Sequence, residues 1–453
     1  MYFEMKDRTN ISFSSLVIAV VMAAALVSCS KFGDEFNHIG DKGANPGTRI
    51  PSEEQRNVLI LYSAGYNSIS SYLKEDIEDL MKGWLPGGGR NENILLVYSH
   101  QTAKRSDYIT DNPPTLTRLW QSLEGEVMAD TLMKYPSGTR SATAPQLNDV
   151  LSFVHDNFPA KSYGMIFSSH ATGYLPAGYY TKPDKYVFQP QARTFDADRT
   201  WAPSPVPFIA PEYDPGMPAV KSIGQDQVGT GTGSVSYEME IGDFAKALPM
   251  NFEYILFDAC LMGGVEVAYE FKEKCRYVGF SQAEVLAEGF DYTTLTTHLL
   301  KTGTPDPEAV CDDYFQQYDI QSGVYRSATI SMIDCTRMKK LAETCKTLFG
   351  KYRMEIALLN PSEVQRFFRS DYHWFYDLQD ILIKAGATDQ EIMELEAALG
   401  ECVIYKAATP SFMGSFDIKT FSGFSMYLPC NGGKELDKYY MTLSWNKDTG
   451  LVE

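Results

Sequence analysis

The stretch Tyr254-Ile-Leu-Phe-Asp-Ala-Cys-Leu-Met-Gly-Gly264 decides how the chain is read. Tyr254 to Phe257 have the unbroken hydrophobicity of a short strand covered on both faces of a parallel sheet. The run stops at Asp258-Ala259-Cys260, and Gly263-Gly264 open a helical pattern over 265–272. A thiol is thus placed at the carboxyl end of a strand, where open α/β sheets keep their ligand crevice. It also lies beside a helix start, whose peptide dipoles favour a thiolate. A second stretch has the same form: Tyr163-Gly-Met-Ile-Phe-Ser-Ser169 is strand-like and ends in His170-Ala171-Thr172-Gly173-Tyr174. If the two strands are neighbours, Cys260 and His170 emerge into one crevice, the arrangement a Cys/His nucleophile pair needs. A free thiol ionises near pH ~8.5, so a sulfur nucleophile needs such a partner or a local field. His170 can supply it and can protonate a leaving amine, and the Cys260 and Ala171 N–H groups are placed to meet a developing oxyanion. Inert buried cysteines and structural histidines carry the same pattern, so the residues alone leave both readings open.

Outward from this pair the chain alternates strand and helix. Strands are expected at 57–63, 93–99 and 277–282, helices at 69–82, 146–157 and 241–248, and a hairpin over 116–135. Continuous apolar strands alternating with helices predict an α/β domain, a mostly parallel sheet with helices on both faces. Residues 174–237 interrupt the pattern with a long Pro-, Gly-, Asp- and Tyr-rich loop. Gly229-Thr-Gly-Thr-Gly-Ser234 within it lacks the Gly-Lys-Ser/Thr and the following helix of a phosphate loop, and reads as a linker. An acidic loop with Glu284, Glu288 and Asp291 follows the 277–282 strand. From 293 onward the pattern turns helical, at 307–321, 336–354 and 389–403, with a late strand at 421–428.

The 453 residues suffice for two or three domains, and a net charge of −18 argues against nucleic acid, whose phosphates require a basic face. It favours cationic substrates through long-range steering. Lys6 and Arg8, the apolar run from Ile11 to Leu26 and the ending Leu26-Val27-Ser28-Cys29 form a secretory signal over 1–28. That ending resembles the lipobox of bacterial lipoproteins. The resemblance implies that Cys29 is lipidated and that 29–56 tether the protein to a membrane of the bacterial cell envelope. The seven other cysteines are scattered without a C-x-x-C pair, which indicates neither a zinc site nor a disulfide scaffold. Their odd number leaves a free thiol, for which Cys260 is the candidate.

Asp258-Ala-Cys-Leu-Met262 together with Ser169-His170-x-Thr-Gly173-Tyr174 resembles the clostripain family of cysteine peptidases, relatives of caspases, gingipains and legumains. Val58-Leu-Ile-Leu-Tyr62 followed by Asn67, Pro159-Ala-Lys-Ser-Tyr-Gly164, Ser281-Gln282 and Phe421-Ser-Gly-Phe-Ser-Met-Tyr-Leu-Pro429 extend the likeness over nearly the whole chain after the tether. The resemblance implies a caspase-like catalytic domain at 57–292, with 174–237 as a loop or insert, and a C-terminal α/β subdomain at 293–453. It implies Cys260 as nucleophile, His170 as its partner, and cleavage after Arg or Lys in protein or peptide substrates. Asp258 matches the pocket acid of the family and Glu288 is a looser match for a second. A carboxylate at 258 equally suits the cap of the following helix. Self-cleavage within the long loop falls at Lys182 or Lys185. No cofactor is implied. Some members depend on calcium, but no D-x-D-x-D-G loop is present. Where the family has Gly and Trp, this chain has Ala171 and Tyr174. If the position after the histidine requires a positive φ or a very close approach of substrate, the alanine weakens the oxyanion site. Two alternatives remain from the sequence: a catalytically weak relative that binds basic peptides, and a surface-binding lipoprotein that uses exposed aromatic residues.

Overall fold

A computed structural model describes residues 56–453 except 89–90, 106–107, 111, 181–182, 190–205, 208–216, 218–225, 229–234 and 371–372. The signal, the tether with Cys29, Lys182 and the Gly229–Ser234 linker therefore lie outside the described residues.

In chain order the elements that position the site are β1 (Asn57–Gly65), α1 (Ser70–Lys82), β2 (Ile94–Gln101), β3 (Thr115–Gln121), β4 (Val127–Lys134), α2 (Ala144–Asn157), β5 (Ser162–Ser168), α3 (Ile241–Ala247), β6 (Phe252–Asp258), α4 (Val265–Glu270) and β7 (Cys275–Phe280). They are followed by α5 (Tyr292–Leu300), α6 (Pro307–Asp319), β8 (Thr329–Asp334), α7 (Lys339–Ala357), α8 (Asp389–Cys402), β9 (Val403–Ala408), β10 (Ser425–Met426) and α9 (Ser444–Thr449). Nine strands form one sheet in the order β9-β8-β7-β6-β5-β1-β2-β3-β4. The central five, β7 to β2, are parallel. Antiparallel pairs close both edges.

Burial explains the difference between centre and edge. Every residue of β1 is buried, as expected for a central parallel strand roofed on both faces, whereas edge strand β4 alternates between exposed and half-buried positions. The chain moves from β1 to β2 in one direction and from β5 through β6 to β7 in the other. Right-handed crossovers in opposite directions put their helices on opposite faces. Two helix groups result: α1 packs on α5 and α5 on α6, while α2 packs on α3, α3 on α4 and α4 on α9. The reversal falls between β1 and β5, and the crevice beyond their carboxyl ends is where such sheets bind ligands.

The structure changes three expectations beyond residue 293. Strands β8 and β9, in a region read as turning helical with no strand before 421, continue the nine-stranded sheet across the expected boundary at 292/293. Each is six residues long, too short for a clear periodic signal, and β9 also lies at the sheet edge. The late strand expected over 421–428 shrinks to β10, because Gly423 has φ +96° and the Ser422 N–H turns back to Asp377 Oδ2 at 2.7 Å. The helix expected over 336–354 starts at Lys339 and runs on to Ala357 with a kink at Tyr352. Within the long loop, described pieces include a one-turn helix at Pro183–Lys185 and three short antiparallel strands, Val206–Pro207, Asp226–Val228 and Val235–Tyr237.

Candidate active site

β5 and β6 lie side by side and parallel, with Asp258 paired to Ser168. His170 and Cys260 are each two residues beyond that pair, so both leave the sheet at the same height from neighbouring strands. The strand ends are tied together by the Ser168 hydroxyl, which donates to Asp258 Oδ2 at 3.1 Å. The loop after β1 completes the group. His170 Nε2 lies 3.0 Å from the Ser68 hydroxyl, and the Ser169 hydroxyl donates to the Ala64 carbonyl at 2.9 Å. Three strand ends at the reversal point therefore hold the imidazole.

The loop that carries the sulfur turns sharply. Leu261 has φ +61°, one of two non-glycine residues with positive φ among the described ones, the other being Met413. Backbone strain of this kind gathers at functional sites. The turn is held by the segment after β7: the Leu261 N–H donates to the Ala283 carbonyl at 2.9 Å and the Gly263 N–H to the Ser281 carbonyl at 2.7 Å. The Val285 N–H then donates to Cys260 Sγ at 3.0 Å. The Cys260 thiol in turn donates to the Val285 carbonyl at 3.6 Å. The Phe421–Pro429 motif supports the same loop from behind, since the Ser425 N–H donates to the Gly263 carbonyl at 2.8 Å and Gln282 Nε2 to the Gly423 carbonyl at 2.8 Å. Motifs some 160 residues apart in the sequence thus converge on one turn. On the histidine side Gly173 has φ +60°, and a Cβ there would lie 2.3 Å from the Leu261 carbonyl oxygen. Ala171 does not have a positive φ, so the backbone part of the cost anticipated for alanine after the histidine does not arise.

All seven described cysteines are free thiols. Burial pushes the thiols of Cys275, Cys311, Cys335 and Cys345 well up, and that of Cys402 up to about 12, which leaves them inert.

The expected open crevice is a correction. Cys260 is completely buried and His170 is 4% exposed. The carboxylates near them are also placed differently from one another, which one acidic loop in the sequence does not reveal. Asp258 is fully buried and receives the Tyr292 hydroxyl at 2.7 Å as well as Ser168. It does not cap the next helix, whose N-cap is Gly264. Tyr292, Tyr314 and Tyr318 crowd this acid. Burial first, and then the Asp258 charge among others, holds their phenols protonated. Glu288 is exposed to solvent. Asp291 caps α5 by accepting from the Thr293 N–H at 2.9 Å. Glu284 is 1% exposed and grips Arg369 in a two-point fork, with Nε to Oε2 at 2.7 Å and the second guanidinium nitrogen to Oε1 at 2.8 Å. Sequence reasoning missed Arg369, which stands 85 residues from Glu284 in a stretch without periodicity.

Beside His170 a cleft is lined by Phe167, Phe244, Phe257, Met239, Met262 and Glu238. Among the described residues no group of three or more His, Cys, Asp or Glu side chains is arranged to hold a metal ion, and no helix is long and apolar enough to cross a membrane. Lys185 is exposed on its one-turn helix.

Comparison with known proteins agrees with this geometry. The model of the clostripain family, peptidase C11, matches residues 211–451. Curated proteins gave no match. Among solved structures, the chain is similar to an inactive zymogen C11 protease from Parabacteroides distasonis, with 26% identity, a TM-score of 0.67 and coverage of 88% of this chain and 99% of that one. A secreted C11 cysteine protease from Bacteroides thetaiotaomicron shares the fold at 22% identity and a TM-score of 0.66, over 88% of this chain and all of that one. The structure of such a protease from that organism with an irreversible peptide inhibitor gives 21% identity and a TM-score of 0.63, over 87% and 99% of the two chains.

Proposed function

The chain belongs to the clostripain family of cysteine peptidases, and on that premise we propose that it is an exported, lipid-anchored endopeptidase that uses Cys260 and His170 to cut after Arg or Lys. The observation that carries the reading is the pairing of Asp258 with Ser168, which sets sulfur and imidazole at equal height on adjacent parallel strands. The Cys260 thiolate attacks the scissile carbonyl carbon. A C–S bond forms and the carbonyl electrons move to oxygen, which the Ala171 and Cys260 N–H groups receive. As the tetrahedral species collapses, the C–N bond breaks and the amine leaves with a proton from the His170 imidazolium. Water then attacks the thioester and gives its proton to His170, which releases the acid and restores the thiolate.

The preference for basic residues is supported by the carboxylates carried on the two segments that form the Cys260 turn, Asp258 and Glu284 buried and Glu288 at the surface. The complete cover over Cys260 suits a resting form, and cleavage at Lys182 or Lys185 in the loop between His170 and Cys260 is the step we assign to its release. The anchor rests on the Leu26-Val27-Ser28-Cys29 ending.

The deciding experiment incubates the purified chain with fluorogenic Arg, Lys and Ala substrates, with and without a thiol alkylator, beside Cys260→Ala. Hydrolysis after Arg or Lys that disappears with the alkylator and in the variant is expected. Hydrolysis that survives in Cys260→Ala sinks the assignment of the nucleophile. Binding of an Arg-ended peptide without turnover, a reading that the buried sulfur favours, replaces the enzyme with a basic-peptide binder. Intact masses of the wild type and of Cys260→Ala test the self-cleavage. Labelled fatty acid that enters Cys29→Ala as well as the wild type removes the anchor.

A further inference from the structure

We infer that Glu284 is the acid that receives a substrate's basic side chain, and that Arg369 occupies its place in the conformation described. The inference rests on the reading above that substrates are basic. Glu284 is one peptide bond from Val285, whose N–H donates to Cys260 Sγ at 3.0 Å. Its carboxylate is therefore fixed within a side chain's reach of the nucleophile. It is 1% exposed, and its two oxygens are met by the planar fork of Arg369 at 2.7 and 2.8 Å. That is the two-point geometry by which a carboxylate recognises arginine. Burial works against the Arg369 charge, and the Glu284 contact, then the Cys260 charge, outweigh it.

Two features separate this pair from a fixed structural bridge. The Arg369 side chain is 28% exposed while that of Glu284 is 1% exposed, so the cation enters from the solvent side and the acid forms the floor. Asp258, by comparison, is engaged by Ser168 on β5 and by Tyr292 on α5, and meets a substrate only if the strand end comes apart. A substrate guanidinium can replace Arg369 like for like. The buried carboxylate keeps a two-point partner throughout, and no uncompensated charge is left behind. A lysine ammonium offers only a point charge in exchange, so arginine is preferred over lysine at this acid.

The test compares the full chain of the wild type, Arg369→Ala and the double variant Arg369→Ala/Glu284→Gln. The double variant removes both charges together and so remains informative if the single one, left with a lone buried carboxylate, fails to fold. The first readout is the rate at which iodoacetamide labels Cys260, followed by peptide mass, with and without argininamide. We expect both variants to label at least ~10-fold faster than the wild type, because the side chain that fills the approach to the sulfur is gone, an opening that outweighs the thiolate support lost with its charge. Argininamide is expected to slow labelling of Arg369→Ala and to leave the double variant unaffected. Labelling of both variants within about twofold of the wild type, or slower, overturns the stand-in role, since it makes Arg369 a support for the thiolate. Equal argininamide protection in the two variants overturns the role of Glu284. Neither readout needs turnover, so absence of hydrolysis in every form, which defeats the peptidase reading, leaves this result intact. Where hydrolysis is seen, the double variant is expected to lose its preference for Arg over Ala substrates.

Discussion

Gly173 and Leu261 show how much of the site is set by single backbone positions. Both have positive φ, and they meet where the Gly173 Cα faces the Leu261 carbonyl. Gly173→Ala forces an L-residue into the left-handed region at a cost of about 1–2 kcal/mol, and its Cβ must also displace the turn that carries Cys260. The expected outcome is a lower urea midpoint together with reduced Cys260-dependent activity. An unchanged midpoint with full activity would mean that the contact is not made. The histidine motif was legible in the sequence, but the reason for its glycine was not, because the atom that Gly173 must avoid lies 88 residues away (261 − 173). Similarly, nothing near Arg369 marks it as a partner of Glu284. Its importance comes from chain folding alone.

At the level of strands and helices, the pairing of β5 with β6 makes a further demand. Gly164 pairs with Tyr254, and a Cβ on it would sit 2.0–2.4 Å from the Tyr254 ring. Gly164→Val is therefore expected to lower stability by at least ~3 kcal/mol by overpacking the sheet centre, read as a shift of the denaturation midpoint. A midpoint within experimental error of the wild type would refute that packing. Tyr292 at the start of α5 makes a subtler link, since its hydroxyl donates to the buried Asp258. Tyr292→Phe is expected to cost about 1–3 kcal/mol, the price of a buried carboxylate short of one donor. The strands that bear Cys260 and His170 could be recognised from composition because central parallel strands are apolar throughout. β8 and β9 could not, since six residues carry too short a pattern and both join the sheet only through pairing with distant partners.

For the whole molecule, Glu266 couples the catalytic sheet to the end of the chain. It lies in α4 just after the Cys260 turn, is wholly buried, and accepts from the Tyr427 N–H at 2.9 Å and the Tyr440 hydroxyl at 2.7 Å. Burial raises its pKa from 4.5 to about 7. A buried acid with a raised pKa holds its proton more tightly in the folded state, so folding is favoured below pH 4.5 and this contribution is lost as pH rises through 7. At about 1.4 kcal/mol per pH unit, the displacement amounts to a change on the order of 3 kcal/mol across that window. Asp377, raised mainly by burial from 3.8 to about 6, has the same sign. Urea unfolding at pH 5 and pH 8 should show the wild type losing more stability on the alkaline side than Glu266→Gln does. Parallel losses in the two proteins would show that Glu266 does not titrate in this window.

The sequence by itself determined the α/β class, the strand ends carrying Cys260 and His170, and the family, because hydrophobic runs and local motifs depend only on neighbours along the chain. Only the tertiary structure decided that the two strands are adjacent and in register, that the sulfur is covered, and that of the acids after β7 one is buried against Arg369, one faces water and one caps a helix. These are relations between segments tens to hundreds of residues apart. They follow from sheet order and from what each charge meets once water is excluded, and no local pattern in the chain encodes either.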